Sequence, residues 1–171
     1  NSPLAIIELS NPSILSCSTD TVFLDGSNSE NLQDVTFEWI GNIVEGQGTE
    51  MAAVIEAGEY ALALFNSVTG CADTTTILVD SNYTTPIADA GVGPDAITCL
   101  DTDENIGGIN TTIGANILHQ WTASPEGELE PPTNGPFAVA IAPGTYYLTV
   151  TNTVSGCTAV DSVFVADAIE P

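Results

Sequence analysis

The chain contains no lysine and no arginine among its 171 residues. About a quarter of the residues in an average protein are charged, so roughly 20 basic residues are expected at this length. Acidic residues number 23, an ordinary share, so the formal charge of -23 arises from basic depletion and not from an acid-rich surface. Without Lys or Arg nothing in the chain neutralises phosphates. Nucleic acid and anionic membrane surfaces are therefore excluded as direct partners, and divalent cations become the natural counterions. Trypsin-like proteases find no site, and Lys-to-Asn isopeptide crosslinks cannot form.

Long apolar runs are also missing. No stretch reaches 18 apolar residues, so direct membrane insertion of a helix is not expected. No secretory signal is legible, and Asn1 reads as the processed or excised start of a mature chain or fragment. Chemistry-bearing residues are scarce. His119 is the single histidine, and with no lysine beside it no triad or activated nucleophile can be assembled. No carboxylate pair sits in a glycosidase-like context. The chain is read as a non-enzyme.

What is present suffices for a fold. Hydrophobic residues make up 43% of the chain and its mean hydropathy is positive, so there is enough apolar surface to bury. Four cysteines without metal-site spacing or a C-x-x-C motif read as two disulfides, which implies an oxidising compartment. Sequence alone leaves three pairings open.

Self-similarity organises the rest. Cys17 recurs as Cys99 and Trp39 as Trp121, both at an offset of 82 residues. Gly58-Glu59-Tyr60 recurs as Gly144-Thr145-Tyr146, and Gly70-Cys71 as Gly156-Cys157, at an offset of 86. The second copy therefore carries four extra residues between Trp and Tyr. They fall near Pro125 to Gly135, where prolines and glycines mark a loop that can absorb an insertion. Within each copy the apolar residues alternate at period two, as in Val35, Phe37 and Trp39, or Tyr146, Leu148 and Val150. The predicted fold is all-β: two tandem immunoglobulin-like β-sandwich domains, residues 1–83 and 84–171.

Trp39 and Trp121 are expected on a central strand, bridging the two sheets against the disulfide. Tyr60 and Tyr146 open a strand after a turn, as a tyrosine corner does. The repeat selects the pairing Cys17 with Cys71 and Cys99 with Cys157, each within one copy. The stretch from Asp80 to Gly93, with Pro86 near its middle, is expected to be a short, stiff join. His119 aligns with Phe37 on the Trp-bearing strand and is read as a satisfied or half-buried histidine.

Val22-Phe23-Leu24-Asp25-Gly26-Ser27-Asn28-Ser29 and Pro86-Ile87-Ala88-Asp89-Ala90-Gly91 resemble polycystic-kidney-disease-type and related immunoglobulin-like repeats of giant Bacteroidetes surface proteins. Pro143-Gly144-Thr145-Tyr146-Tyr147-Leu148-Thr149-Val150, with Ser155-Gly156-Cys157 and Asp161-Ser162-Val163, resembles the repeats of gliding-motility adhesins secreted by the type IX route. The second copy departs from the pattern, with Ile106-Gly107-Gly108-Ile109-Asn110 in place of Leu-Asp-Gly-Ser. The resemblance implies an extracellular, cell-surface location in multi-repeat stalks or filaments. It also implies O-glycan attachment at Thr21, Thr74 and Ser162, each of which follows an aspartate.

Asp101, Asp103 and Asn105 alternate as D-x-D-x-N and form a candidate calcium site, although the Gly and distal Glu of an EF-hand are missing. Asp80, Asp89 and Asp95 are second candidates around the join. The functional expectation is a rigid, disulfide-stapled spacer and adhesive repeat of a surface fibre. Its partners would be neighbouring repeats of the same protein or identical subunits. The alternative is a polysaccharide- or ligand-binding accessory module, presenting surface polysaccharide to the loops Gly41 to Gly48 or Pro125 to Gly135.

Overall fold

The computed structural model describes residues 3–11, 13–30 and 33–168. The chain divides into two compact units, Asn1–Tyr83 and Thr84–Pro171. Among the described residues every regular element is a strand.

Unit 1 contains β1 (Glu8–Leu9), β2 (Ile14–Ser16), β3 (Val22–Asp25), β4 (Val35–Ile40), β5 (Met51–Val54), β6 (Gly58–Asn66) and β7 (Ala72–Asn82). They form two sheets, β1-β3-β5 and β2-β7-β6-β4. The alternation seen in sequence sets which face is buried. Tyr60, Leu62 and Leu64 of β6 point inward with Trp39 of β4, and meet Val22 and Leu24 of β3 and Ala52 and Val54 of β5. Each fully buried aliphatic side chain contributes about 1.5–3 kcal/mol relative to exposure. Strand β2 is the exception to antiparallel pairing. It runs parallel to the end of β7, with Ile14 opposite Asp80 and Ser16 opposite Asn82.

Unit 2 contains β8 (Glu104–Ile106), β9 (Ile117–Ala123), β10 (Leu129–Glu130), β11 (Ala138–Ala140), β12 (Gly144–Asn152) and β13 (Thr158–Val165). Its sheets are β10-β11-β8 and β13-β12-β9. Tyr146, Leu148 and Val150 fill its core with Trp121, Ile106, Ala138 and Ala140. The insertion of the second copy falls in the segment that holds β10, which pairs Leu129 with Ala140. At the place of β2, Ile97 makes a parallel bridge to Asp167.

The start of each unit is tied down by an aspartate of its last strand. Asp73 accepts the Ala5 N–H at 2.9 Å, and Asp161 accepts the Ala90 N–H at 2.8 Å. Two sequence expectations are corrected here. The Trp-bearing strands β4 and β9 stand at the edge of their sheets, not at the centre, because among the described residues no further strand pairs with them. The stretch from Asp80 to Gly93 holds the boundary between the units, at Tyr83 and Thr84, but most of it belongs to the units and not to a separate join. Asp80, Ser81 and Asn82 pair with β2, Pro86 is buried, and Ile87 exchanges bonds with Thr112 at 2.8 and 2.9 Å.

Candidate functional site

The two cysteines of each unit lie at opposite ends of its last strand. Cys71 immediately precedes β7, which runs for 11 residues, whereas Cys17 follows Ser16, which faces Asn82 at the far end of that strand. At about 3.3 Å per residue those ends are separated by over ~30 Å, while a disulfide needs its Cα atoms within about 7 Å. Unit 2 repeats the arrangement. Cys157 precedes β13, and Cys99 lies just past Ile97, the partner of Asp167 beyond the other end. Neither pairing within a copy forms. Cys17 and Cys157 are disulfide-bonded, whereas Cys71 and Cys99 are free thiols. The expectation of a disulfide behind each tryptophan falls with those pairings.

The tryptophans and tyrosines hold loops instead. Trp39 Nε1 donates to the Thr49 carbonyl at 2.8 Å, and Trp121 Nε1 to the Gly135 carbonyl at 3.1 Å. The Gln47 amide covers the open edge of β4. Its Oε1 accepts the Trp39 N–H at 2.8 Å and its Nε2 donates to the Trp39 carbonyl at 2.7 Å. On β9 the Trp121 N–H donates to the Thr133 carbonyl at 2.9 Å. The loops Gly41 to Gly48 and Pro125 to Gly135 thus direct polar groups onto strand edges, which blunts the tendency of an edge to pair with another chain. Tyr60 donates to the Glu56 carbonyl at 2.8 Å. Burial, and then the Glu56 charge, push its phenol above the ordinary value. Tyr146 reaches the carbonyls of Ala142 and Glu128.

Acidic residues do not converge. Asp101 ends the turn after Thr98, Asp103 precedes β8 and Asn105 lies within it, all three exposed. Among the described residues no three His, Cys, Asp or Glu side chains are placed to hold a metal. Asp89 is engaged in loop closure. It accepts the N–H groups of Gly91 and Asn110 at 3.1 Å each, and the Asn110 side-chain amide at 2.9 Å. The Asn110 backbone bond, then that of Gly91, holds its carboxyl below the ordinary range. Asp25 is lowered by the Ser27 hydroxyl and then by the Ser27 N–H, with its Oδ1 2.8 Å from that nitrogen. His119 bonds the Thr112 carbonyl through Nε2 at 2.8 Å. Thr74 and Ser162 are exposed on the outer faces of β7 and β13, and Thr21 is half-buried.

Residues that sequence reasoning missed hold the same place in both copies. Ser29 Oγ bonds the N–H and carbonyl of Ile6, both at 2.9 Å, and Thr111 Oγ1 bonds those of Asp89 at 3.0 and 2.8 Å. Their shared 82-residue offset was the available signal.

Two facing sheets with a Trp, a corner Tyr and a last strand clamped by a short parallel strand define the class: tandem immunoglobulin-like β-sandwich modules. No family model matches the chain, and no curated protein matches it. The chain is similar to solved structures at low identity. Three N-terminal domains of the bacteriophage RB49 Highly Immunogenic Outer Capsid protein are 13% identical with a TM-score of 0.46, over 96% of this chain and 59% of theirs. The chain thus spans less than two thirds of that fragment. A C-terminal intimin fragment, solved in complex with the intimin-binding domain of its translocated receptor, is 12% identical with a TM-score of 0.46, over 97% of this chain and 65% of that one. A SusE-like surface-located polysaccharide-binding protein of Bacteroides thetaiotaomicron is 10% identical with a TM-score of 0.38, over 97% of this chain and 34% of that one.

Proposed function

We infer that the chain is a structural and adhesive repeat of an extracellular bacterial surface fibre, of the kind that gliding-motility adhesins build. The observation that carries this reading is the placement of the cysteines. They lie in turns at the ends of their modules, outside the strand ladders, and do not clamp one sheet of a module to the other. Strand ladders running from Gly58–Val79 to Phe65–Ala72, and from Gly144–Val165 to Thr151–Thr158, give each bead a stiff spine. Basic depletion adds resistance to trypsin-like proteases, and a disulfide fits an oxidising, extracellular setting.

Loop polarity turned onto strand edges supports a spacer over a polysaccharide-binding accessory module. Unit 1 carries an open groove of about 800 Å³ along Val35, Phe37 and Met51. Exposed Thr74 and Ser162 are the acceptor positions that surface O-glycans would reach, and calcium would act as a counterion to the acidic surface. Imaging the native protein together with a glycan array tests the reading. A beaded fibre that binds no glycan is the expected result. A compact secreted enzyme carrying these modules would overturn it, and saturable glycan binding would favour the accessory module.

A further inference from the structure

The two free cysteines sit in turns that already hold a disulfide elsewhere in the same chain. Cys71 ends the turn between β6 and β7. There the Asn66 Oδ1 accepts the N–H groups of Val68 and Thr69 at 3.0 and 2.9 Å. Gly70 donates to the Asn66 carbonyl and Asn66 to the Cys71 carbonyl, both at 2.9 Å, and Thr69 Oγ1 accepts the Cys71 N–H at 3.3 Å. The turn between β12 and β13 reproduces this bond for bond. Asn152 Oδ1 accepts from Val154 and Ser155 at 3.0 and 3.4 Å. Gly156 donates to the Asn152 carbonyl at 2.8 Å and Asn152 to the Cys157 carbonyl at 2.9 Å, and Ser155 Oγ accepts the Cys157 N–H at 3.2 Å. Gly70 and Gly156 share a φ of 70°, a conformation that favours glycine. The backbone of Cys71 is therefore held as that of Cys157 is, yet Cys71 is half-buried and free where Cys157 is buried and bonded.

Cys17 and Cys99 match in the same way. Each is second in a four-residue turn, closed by the Ser16 N–H on the Thr19 carbonyl at 2.8 Å and by the Thr98 N–H on the Asp101 carbonyl at 2.7 Å. The hydroxyl that opens each turn caps it from inside, Ser16 Oγ accepting from Ser18 at 3.3 Å and Thr98 Oγ1 from Leu100 at 3.1 Å. Cys17 is bonded, whereas Cys99 is free and exposed.

Position within each unit sets what the free pair can meet. Cys17 lies beside Asn82, where the chain leaves unit 1. Cys157 lies beside Thr84, where the chain comes into unit 2, with the Thr84 carbonyl accepting from Ser155 Oγ at 2.8 Å. Cys99 is the outgoing-end cysteine of unit 2, by the Ile97–Asp167 bridge, and Cys71 is the incoming-end cysteine of unit 1. The chain holds a bonded cysteine of each kind and, at the end of each unit away from the join, a free one of each kind. We propose that Cys99 of one copy forms a disulfide with Cys71 of a second copy, making the chain a link in a covalent head-to-tail polymer. This rests on the fibre reading and deepens it by naming the joint. Each such bond leaves one free end of each kind, so the assembly extends unless the rotation between copies closes it into a ring.

The bond forms by thiol–disulfide exchange. One thiolate attacks a small disulfide such as oxidised glutathione, releasing one glutathione thiolate. The second cysteine's thiolate then attacks the mixed disulfide and expels the other. The two cysteines lose two protons and two electrons, and one glutathione disulfide becomes two thiols. On a cell surface an oxidised dithiol catalyst serves as the same acceptor.

The test uses the purified chain in a glutathione redox buffer, resolved by non-reducing electrophoresis. The expected result is a ladder at multiples of 17.6 kDa that collapses on reduction. Cys71→Ser and Cys99→Ser should each lose every band above monomer, and an equimolar mixture of the two should give a dimer and nothing larger. Digestion with an acid-specific protease should release one peptide pair joining Cys71 to Cys99, because the chain offers trypsin no site. A monomer that keeps two free thiols, or single variants that dimerise as readily as the mixture, would overturn the proposal. A native beaded fibre whose Cys71 and Cys99 remain free would overturn this joint and leave the fibre reading standing.

Discussion

Tyr60 and Tyr146 occupy the same place in the two copies but hold different amounts of backbone. The Tyr60 hydroxyl donates to the carbonyl of Glu56, four residues upstream. That of Tyr146 reaches the corresponding carbonyl of Ala142 and also brackets Glu128, lying 3.0 Å from its carbonyl oxygen and accepting its N–H at 3.1 Å. Glu128 lies in the segment lengthened in the second copy. One corner residue has thus become the anchor of the inserted loop.

Removing the two hydroxyls should therefore have unequal effects. Tyr60→Phe loses one ordinary hydrogen bond and should cost unit 1 about 1 kcal/mol. Tyr146→Phe also strands the Glu128 N–H and should cost unit 2 about 2–3 kcal/mol. Native-state hydrogen exchange, read separately on peptides from each unit, measures both. Equal losses would show that the contacts to Glu128 add nothing.

The glycine of each Gly-x-Tyr motif makes the same distinction. A Cβ on Gly144 would lie 2.8 Å from Gly127 Cα and 2.9 Å from its nitrogen, whereas one on Gly58 would meet nothing within 4 Å. Gly144→Ala should destabilise unit 2 by about 1–3 kcal/mol, since backbone must shift. Gly58→Ala should leave unit 1 unchanged or up to about 1 kcal/mol more stable. Thermal unfolding of the two variants decides it.

Asp89 should make the stability of unit 2 sensitive to acid. Hydrogen bonds from Asn110 and Gly91 hold its folded value below the ordinary 3.8. A depressed carboxylate stabilises the fold fully above the unfolded value and loses that contribution as pH falls through the folded one. Asp89→Asn should therefore melt earlier than the parent at pH 7, and the gap should close as the pH drops below 3.8. Asp25, lowered in the same direction, is present in both proteins and cancels from the difference. A gap that persists undiminished in acid would assign the effect to shape and not to charge. Gly108 is built around this latch, because a Cβ there would meet the Asp89 carboxylate at 1.9 Å.

The parts legible in the sequence are those with a local signal. Trp39, Tyr60 and Leu62 announce themselves by bulk, by period-two alternation and by recurrence at Trp121, Tyr146 and Leu148. The placement of Cys17 depends on the parallel pairing of Ile14 with Asp80, a long-range contact that no neighbouring residue encodes. The repeat therefore suggests a clamp within one copy that the fold does not allow. The edge position of Trp39 was hidden for a similar reason, since strand order follows from long-range contacts. Ser29 and Thr111 are visible as repeated hydroxyls, but nothing nearby shows that they grip the opening segments of their units at Ile6 and Asp89.

Gln47 offers a test of how the open edges are managed. Its amide accepts the N–H and donates to the carbonyl of one residue, Trp39, and so stands in for a missing neighbouring strand. An amide is suited to this because it carries both a donor and an acceptor. Gln47→Ala should cost unit 1 about 1–2 kcal/mol and expose a pairing edge on β4. Gln47→Glu keeps the acceptor but cannot return a proton to the Trp39 carbonyl, so its loss should be intermediate, and its added charge should oppose edge pairing. Hydrogen exchange at the Trp39 amide reports the first effect. Sedimentation of the alanine variant under reducing conditions reports the second, free of any contribution from cysteine. If the Trp39 amide exchanges no faster in the alanine variant, the latch contributes nothing, and the edge of β4 is held by the sandwich beneath it.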